Sequence, residues 1–112
     1  MAFNAPAARD RYVDVARAFG VEVDGMDPEE AADAACSEVQ LLVAKLGIPR
    51  HLNSLGVRAE DFADFAEHVL DDACLLTNPR SVDLDDALNL MDRLAASNRA
   101  GMVTIAAQRG LL

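Results

Sequence analysis

The sequence predicts an all-α fold, a compact bundle of four main helices joined by short helical turns. Apolar residues recur at steps of three and four in four separate segments, the spacing of one helix face. The 112 residues are 52% hydrophobic but only 4% aromatic, and alanine, the strongest helix former, is abundant. No segment alternates apolar and polar residues as a half-buried strand does. We expect one helical domain over residues 1–97 and a C-terminal extension, a short helix, over residues 98–112.

Caps and apolar spacing predict the first two helices. Asn4 can cap a helix that ends at Gly20. Asp27 and Glu30 stand in the order of a capping box, so a second, longer helix begins there and ends at Gly47. The residues expected on the inward faces are Tyr12, Val15, Ala16 and Phe19 in the first helix and Ala32, Ala35, Val39, Leu42 and Leu46 in the second.

The stretch KLGIPRHLNSLGV, residues 45–57, predicts a sharp corner between helices. Lys45 places a cation in the last turn of the second helix, and Gly47 can adopt the positive φ of a C-terminal cap. Pro49 then prevents the helix from resuming. Four apolar residues are expected to hold this corner on the core: Ile48, Leu52, Leu55 and Val57.

Residues 59–76 predict a third helix, which Pro79 separates from a fourth. Asp83 and Asp86, three residues apart, are expected to begin that fourth helix. The predicted inward residues are Phe62, Phe65, Ala66, Val69 and Ala73 in the third helix and Leu84, Ala87, Leu88, Met91, Leu94 and Ala95 in the fourth. Cys36 and Cys74 fall within helical stretches, and we interpret both as reduced core thiols.

The charge of the chain bears on its partners and its location. A formal net charge of -9 repels nucleic acid and anionic lipid headgroups, so neither is expected as a partner. The N-terminal residues MAFNAPAARDRY lack a basic region followed by an apolar run, and no apolar run reaches the length of a membrane span. We therefore expect a cytoplasmic protein.

Three groups of polar residues have the composition of possible sites. His68 has Asp64 and Asp72 four residues to either side, which could hold a divalent ion weakly, although a solvated acidic face is the favoured interpretation. His51 has no nucleophile nearby in sequence, and a surface or capping role is favoured. The acidic cluster that begins at Asp83 is interpreted as helix capping. None of the six glycines belongs to a GxGxxG or GxxxxGK[ST] phosphate loop.

Four stretches in order carry a family resemblance: RYVDVARAFGV, LLVAKLGIPRHLNSLGV, EDFADFAEHVLDDACLLTNPR and DLDDALNLMDRL. Together they resemble the C-terminal part of the iron-containing (group III) alcohol dehydrogenases, over about residues 3–95. The mutual spacing of the LGIP, LGV and NPR elements is the specific part of this resemblance. Residues from 96 onward depart from the family's pattern.

The resemblance implies an enzyme family but few site residues in this chain. Members bind NAD(P) through a glycine-rich segment and hold iron or zinc with one Asp and three His, and those motifs are expected upstream of this sequence. Asp64 and His68 reproduce the Asp-x-x-x-His spacing of two ligands, but on a different helix, so we interpret the match as coincidence. No catalytic, cofactor-binding or metal-binding residue is therefore assigned. By resemblance, the residues expected to face the cleft between domains are Cys74, Asn78, Pro79 and Arg80.

Two functions remain open from the sequence. The chain could be a stand-alone helical module that is not catalytic by itself, or one part of a metal-dependent alcohol dehydrogenase completed by another chain. In either case we expect apolar surface to be covered, either by residues 98–112 folding back over it or, as the favoured alternative, by a partner. The expected partner is a second copy of the chain, with residues 98–112 at the interface, or a companion nucleotide-binding chain.

Overall fold

The computed structural model describes residues 1–96 and contains four α-helices within that range. These are α1 (Arg9–Ala18), α2 (Pro28–Lys45), α3 (Phe62–Leu70) and α4 (Leu84–Ala96), and the short 3-10 helices are Ala2–Ala7, Leu52–Leu55, Ala59–Asp61 and Ala73–Thr77. No strand occurs in residues 1–96, and the predicted all-α fold with four main helices is confirmed. The helix predicted over residues 98–112 lies outside the described residues. No described helix has both the length and the apolar character needed to cross a membrane.

The chain divides into two compact units, Met1–Leu46 and a second unit that begins at Gly47. In the first unit, α1 packs against α2 through small side chains. The buried cluster consists of Ala16, Val23, Ala31 and Ala35, and Tyr12, Val13, Val15 and Val21 pack around it. Because three of the four buried side chains are single methyl groups, the two helix backbones can approach closely.

The predicted first helix begins later than expected. A 3-10 helix occupies Ala2–Ala7, and α1 begins only at Arg9, after Ala8 with φ of -140°. Asn4 therefore lies inside the 3-10 helix and does not cap α1. The end of α1 is as predicted. Gly20 has a φ of 86° and closes the helix with the paired backbone hydrogen bonds of a Schellman motif.

The predicted start and end of α2 are confirmed. Asp27 accepts a hydrogen bond at Oδ1 from the Glu29 N–H at 3.0 Å. The Glu30 carboxylate in turn accepts one from the Asp27 N–H at 3.3 Å, which completes the capping box. At the other end Gly47 has a φ of 68°, the left-handed conformation expected beyond a helix C-terminus.

The predicted inward face of α2 is buried over its first half only. Ala32 and Ala35 are buried, whereas Leu42 is 42% exposed and Leu46 is 64% exposed. The reason is helix length. The 18 residues of α2 extend about 27 Å and the 10 residues of α1 about 15 Å. Within this unit α1 is too short to cover the whole face of α2.

The second unit is built on the pairing of α3 with α4. Its buried cluster consists of Phe62, Ala66, Ala87 and Met91, and Leu52, Val57, Val82, Leu88 and Ala95 pack around it. The predicted corner before α3 is only partly inserted, because Leu52 and Val57 join this cluster while Ile48 and Leu55 are exposed. Gly56, with a φ of 80°, turns the chain between Leu55 and Val57.

The third helix is shorter than predicted, and part of its inward face is exposed. It ends at Leu70, and Asp72 begins a separate 3-10 helix over Ala73–Thr77. Phe65 is 43% exposed and Val69 is 37% exposed. Both follow the buried positions of α3 by three residues, so they lie beside the stripe that α4 covers rather than within it.

The predicted start of α4 is confirmed. The Asp86 N–H donates to Asp83 Oδ1 at 2.8 Å, and the Asp83 N–H donates to Asp86 Oδ2 at 3.1 Å. The two carboxylates therefore cap each other's backbone. Among the predicted inward residues of α4, Leu84 and Leu94 are exposed.

Candidate functional site

The residues expected to face a cleft lie in one short segment between α3 and α4. Asp72 Oδ1 accepts a hydrogen bond from the Cys74 N–H at 2.7 Å, which caps the 3-10 helix Ala73–Thr77. The Thr77 hydroxyl donates to the Cys74 carbonyl at 3.2 Å. Asn78 follows as the C-terminal cap with extended backbone angles, the conformation favoured for a residue before proline. The segment is therefore held by its own side-chain to backbone hydrogen bonds.

The turn that follows brings Asn78 and Arg80 together. Asn78 Nδ2 donates to the Arg80 carbonyl at 2.6 Å, closing the turn around Pro79. Asn78 is half-buried, while Pro79 and Arg80 are exposed. Cys74 lies in the 3-10 helix that Asn78 caps, so all four residues belong to one continuous segment. The expectation that they face an interdomain cleft stays a prediction.

The interpretation of Cys74 as a buried core thiol is wrong. Its side chain is exposed, because α3 ends at Leu70 and Cys74 belongs to the separate 3-10 helix. Cys36, the other cysteine, is half-buried in α2, and both thiols are free. Burial is the main cause of a raised pKa at Cys36, and the N-terminal ammonium partly opposes it.

Asp72 also controls the ionisation of Cys74. The Asp72 carboxylate favours the protonated thiol, first as a hydrogen-bond acceptor and then through its negative charge, and so raises the pKa of Cys74. Conversely, the hydrogen bond from the Cys74 N–H is the main cause of a lowered pKa at Asp72. The shift favours the neutral thiol, the form that is a poor nucleophile and a poor metal ligand.

Sequence reasoning missed Asp72 as the residue that positions Cys74. The signal was present, since Asp is a favoured residue just before a helical turn, where its carboxylate accepts a hydrogen bond from the backbone N–H two residues later. It was hidden because the apolar pattern of α3 continues past Leu70 and suggests one unbroken helix.

The two histidines do not assemble a site within residues 1–96. His68 Nδ1 lies 2.7 Å from the Asp64 carbonyl one turn earlier in α3, so this nitrogen bonds the backbone of its own helix. His51 is half-buried just before the 3-10 helix Leu52–Leu55, and its side chain makes no capping hydrogen bond there. In the described part of the chain no three His, Cys, Asp or Glu side chains are grouped so that they could hold a metal ion.

Comparison with known proteins explains the order of these elements. Residues 1–95 match the C-terminal part of the Fe-containing alcohol dehydrogenase family. The chain belongs to this family. The predicted resemblance is therefore confirmed, and the NPR turn and the LGIP corner lie within the matched region.

Similar curated proteins are several times longer than the chain. Lactaldehyde reductase of Escherichia coli (strain K12) is 44% identical over 90 residues, which are 80% of this chain and 24% of that protein. 1,3-Propanediol dehydrogenase of Citrobacter freundii is 37% identical over 78 residues, which are 70% of this chain and 20% of that protein. The chain therefore spans about a quarter or less of these relatives.

A solved structure gives the same picture of the fold. The crystal structure of a 1,3-propanediol oxidoreductase superposes with a TM-score of 0.79 at 29% identity, covering 82% of this chain and 24% of that one. The helical arrangement of this chain thus corresponds to a part of a larger enzyme fold.

Proposed function

We propose that the chain is the C-terminal helical module of a metal-dependent, NAD(P)-linked alcohol or aldehyde oxidoreductase and that it is not catalytic by itself. The observation that carries the proposal is the family match over residues 1–95, together with 44% identity to a lactaldehyde reductase. The 112 residues contain two histidines and no glycine-rich phosphate loop, so this sequence alone cannot supply the family's nucleotide segment and three-histidine metal site. We propose the cytoplasm as its location, which suits two unbridged cysteines.

The composition of the core supports a role as one part of a larger assembly. Six of the ten buried hydrophobic residues described are alanines, whereas thirteen large hydrophobic side chains in the described range are exposed. A chain of this size has little buried apolar area with which to offset the conformational entropy lost on folding. Covering the exposed side chains with another protein surface would add the missing burial.

Direct assay of the purified chain tests whether it is catalytic alone. We expect no oxidation of 1,2-propanediol, 1,3-propanediol or ethanol with NAD or NADP, with or without added Fe²⁺ or Zn²⁺. The measurement is nicotinamide absorbance at 340 nm, with intact E. coli lactaldehyde reductase as the positive control. Metal-dependent turnover that co-purifies with the chain through two further separations would refute the proposal.

Complementation tests whether the chain works as part of an oxidoreductase. The 24% of E. coli lactaldehyde reductase that matches the chain is replaced by residues 1–96 of this chain, in one fused polypeptide. We expect measurable lactaldehyde reduction from the fusion and none from the reductase lacking its matched segment. A folded, metal-loaded and nucleotide-binding fusion without activity would contradict the proposed role.

Self-association is the second part of the proposal for the chain when it is isolated. We propose a homodimer that covers the exposed end of α2, where Leu42 and Leu46 lie one turn apart. An apolar interface of this kind should persist at high salt, which weakens contacts between surface charges. Light scattering at micromolar concentration in high salt should give twice the monomer mass, and Leu42→Ser with Leu46→Ser should return the monomer mass. A monomer for the unaltered chain would exclude the homodimer and leave a companion nucleotide-binding chain as the proposed partner.

A further inference from the structure

Helix α3 has an exposed apolar strip, formed by Phe65 and Val69. The two residues are four positions apart and therefore adjacent on the helix surface. They are 43% and 37% exposed, while Phe62 and Ala66 beside them are buried. The apolar side of α3 is thus wider than the surface that packs on it within the described part of the second unit.

The strip lies in one of the acidic parts of the chain that contain no Lys or Arg. Between Arg58 and Arg80 the sequence has six carboxylate side chains and no Lys or Arg. Arg58 pairs with Glu60 at 2.7 Å and lies 3.9 Å from Asp61. Asp64, Glu67 and Asp71 make no ion pair with any residue in the range 1–96. A surface that covers Phe65 and Val69 must therefore be apolar, and it gains from carrying positive charge.

One segment of this chain has that chemistry. All 19 acidic residues precede residue 93, so residues 97–112 contain none, yet they carry Arg99 and Arg109. The same segment carries the apolar residues Met102, Val103, Ile105, Leu111 and Leu112. By contrast, a second copy of the chain, with a formal charge of -9, would bring like charge to this acidic helix.

The segment is also long enough to reach the strip. It follows directly from α4, which packs on α3. Sixteen extended residues reach about 50 Å, whereas the nine residues of α3 extend only about 14 Å. We propose that residues 97–112 dock on the Phe65–Val69 strip of α3 within the same chain. Their apolar side chains cover the strip, and Arg99 and Arg109 face the carboxylates that border it.

Hydrogen exchange of the full chain, followed by mass spectrometry of α3 peptides, tests the proposal. In the Arg99→Glu, Arg109→Glu chain, the α3 amides should exchange at least about fivefold faster. The reason is that α3 can then open without first releasing residues 97–112. The matched control is Arg9→Glu with Arg11→Glu, which makes the same charge change on exposed residues of α1 and should leave α3 exchange unaltered. Raising NaCl to about 1 M should move the unaltered chain toward the fast value, because screening weakens the charged contacts.

A charge swap separates docking from a general loss of stability. Adding Asp64→Lys and Asp71→Lys to the Arg99→Glu, Arg109→Glu chain should restore slow exchange, whereas the two lysines alone should make exchange fast. The proposal is overturned if Arg99→Glu with Arg109→Glu leaves the exchange of α3 amides unchanged. It is also overturned if the charge swap does not restore slow exchange. Protection of α3 that rises with protein concentration would also overturn it, because a second copy would then be the cover.

Discussion

Replacing Phe62 with alanine should lower the free energy of unfolding of the second unit far more than the same replacement at Phe65, three residues later. Phe62 is 7% exposed and packs with Ala66, Ala87 and Met91. Replacing a buried core phenylalanine with alanine typically lowers the free energy of unfolding by about 3–5 kcal/mol, including the cost of the cavity left behind. The cluster is small and its rim residues can relax inward, so we expect about 3 kcal/mol for Phe62→Ala. Phe65 is 43% exposed, and the proposed docking of residues 97–112 would cover it only at the surface of the unit, so its removal leaves less of a cavity and we expect about 1 kcal/mol for Phe65→Ala.

Urea denaturation monitored by far-ultraviolet circular dichroism is the assay. The chain has two compact units, so each curve is fitted for one and for two transitions before free energies are compared. The loss should be confined to the transition of the second unit. A loss of about 3 kcal/mol is a large share of the stability of a domain of this size.

The relative losses at the two phenylalanines test which side of α3 is buried. A Phe65→Ala chain that loses as much free energy of unfolding as Phe62→Ala would show that the buried side of α3 has been misassigned. Equal and negligible losses at both positions would show that the cluster around Phe62 does not hold the second unit together.

Three further predictions concern single local interactions. Asp27→Ala removes the capping box of α2 and should cost about 1 kcal/mol in urea denaturation, whereas Asp24→Ala, in the preceding loop, should cost little; equal losses would contradict the capping role. Asp72→Asn removes the charge that raises the pKa of Cys74, so iodoacetamide should alkylate Cys74 faster at pH 8, and an unchanged or slower rate would contradict it. Gly20→Ala places a side chain at φ of 86° and should lower the free energy of unfolding by about 1–2 kcal/mol; no loss would show that the turn can relax.

The local elements of this fold could be predicted because their causes lie within a few residues. The capping pairs Asp27 with Glu30 and Asp83 with Asp86 depend on side chains that reach only their own helix ends. Gly20 likewise turns the chain in the left-handed conformation that a residue without a Cβ adopts without strain. The resemblance of the same stretches to a dehydrogenase family was equally visible in their order and spacing.

The sequence named a candidate segment but did not predict its local structure. The resemblance pointed to the segment from Cys74 to Arg80, yet the exposure of Cys74 and its hydrogen bond with Asp72 depend on where α3 ends. Apolar periodicity continues through that end and does not reveal it. The Asp72 carboxylate accepts a hydrogen bond from the Cys74 N–H at 2.7 Å. This side-chain bond replaces the backbone bond that would continue α3, and a new turn begins.

Only the tertiary structure decided which part of each apolar face is buried. Periodicity grouped Ala35 with Leu42 and Phe62 with Phe65, since each pair falls on one broad side of its helix. Packing then separated the members of each pair: α1 is too short to reach Leu42 within the first unit, and α4 contacts the stripe of α3 that contains Phe62. Helix phase is a property of the chain alone, whereas burial depends on the length and position of the neighbouring helix, which no local pattern encodes.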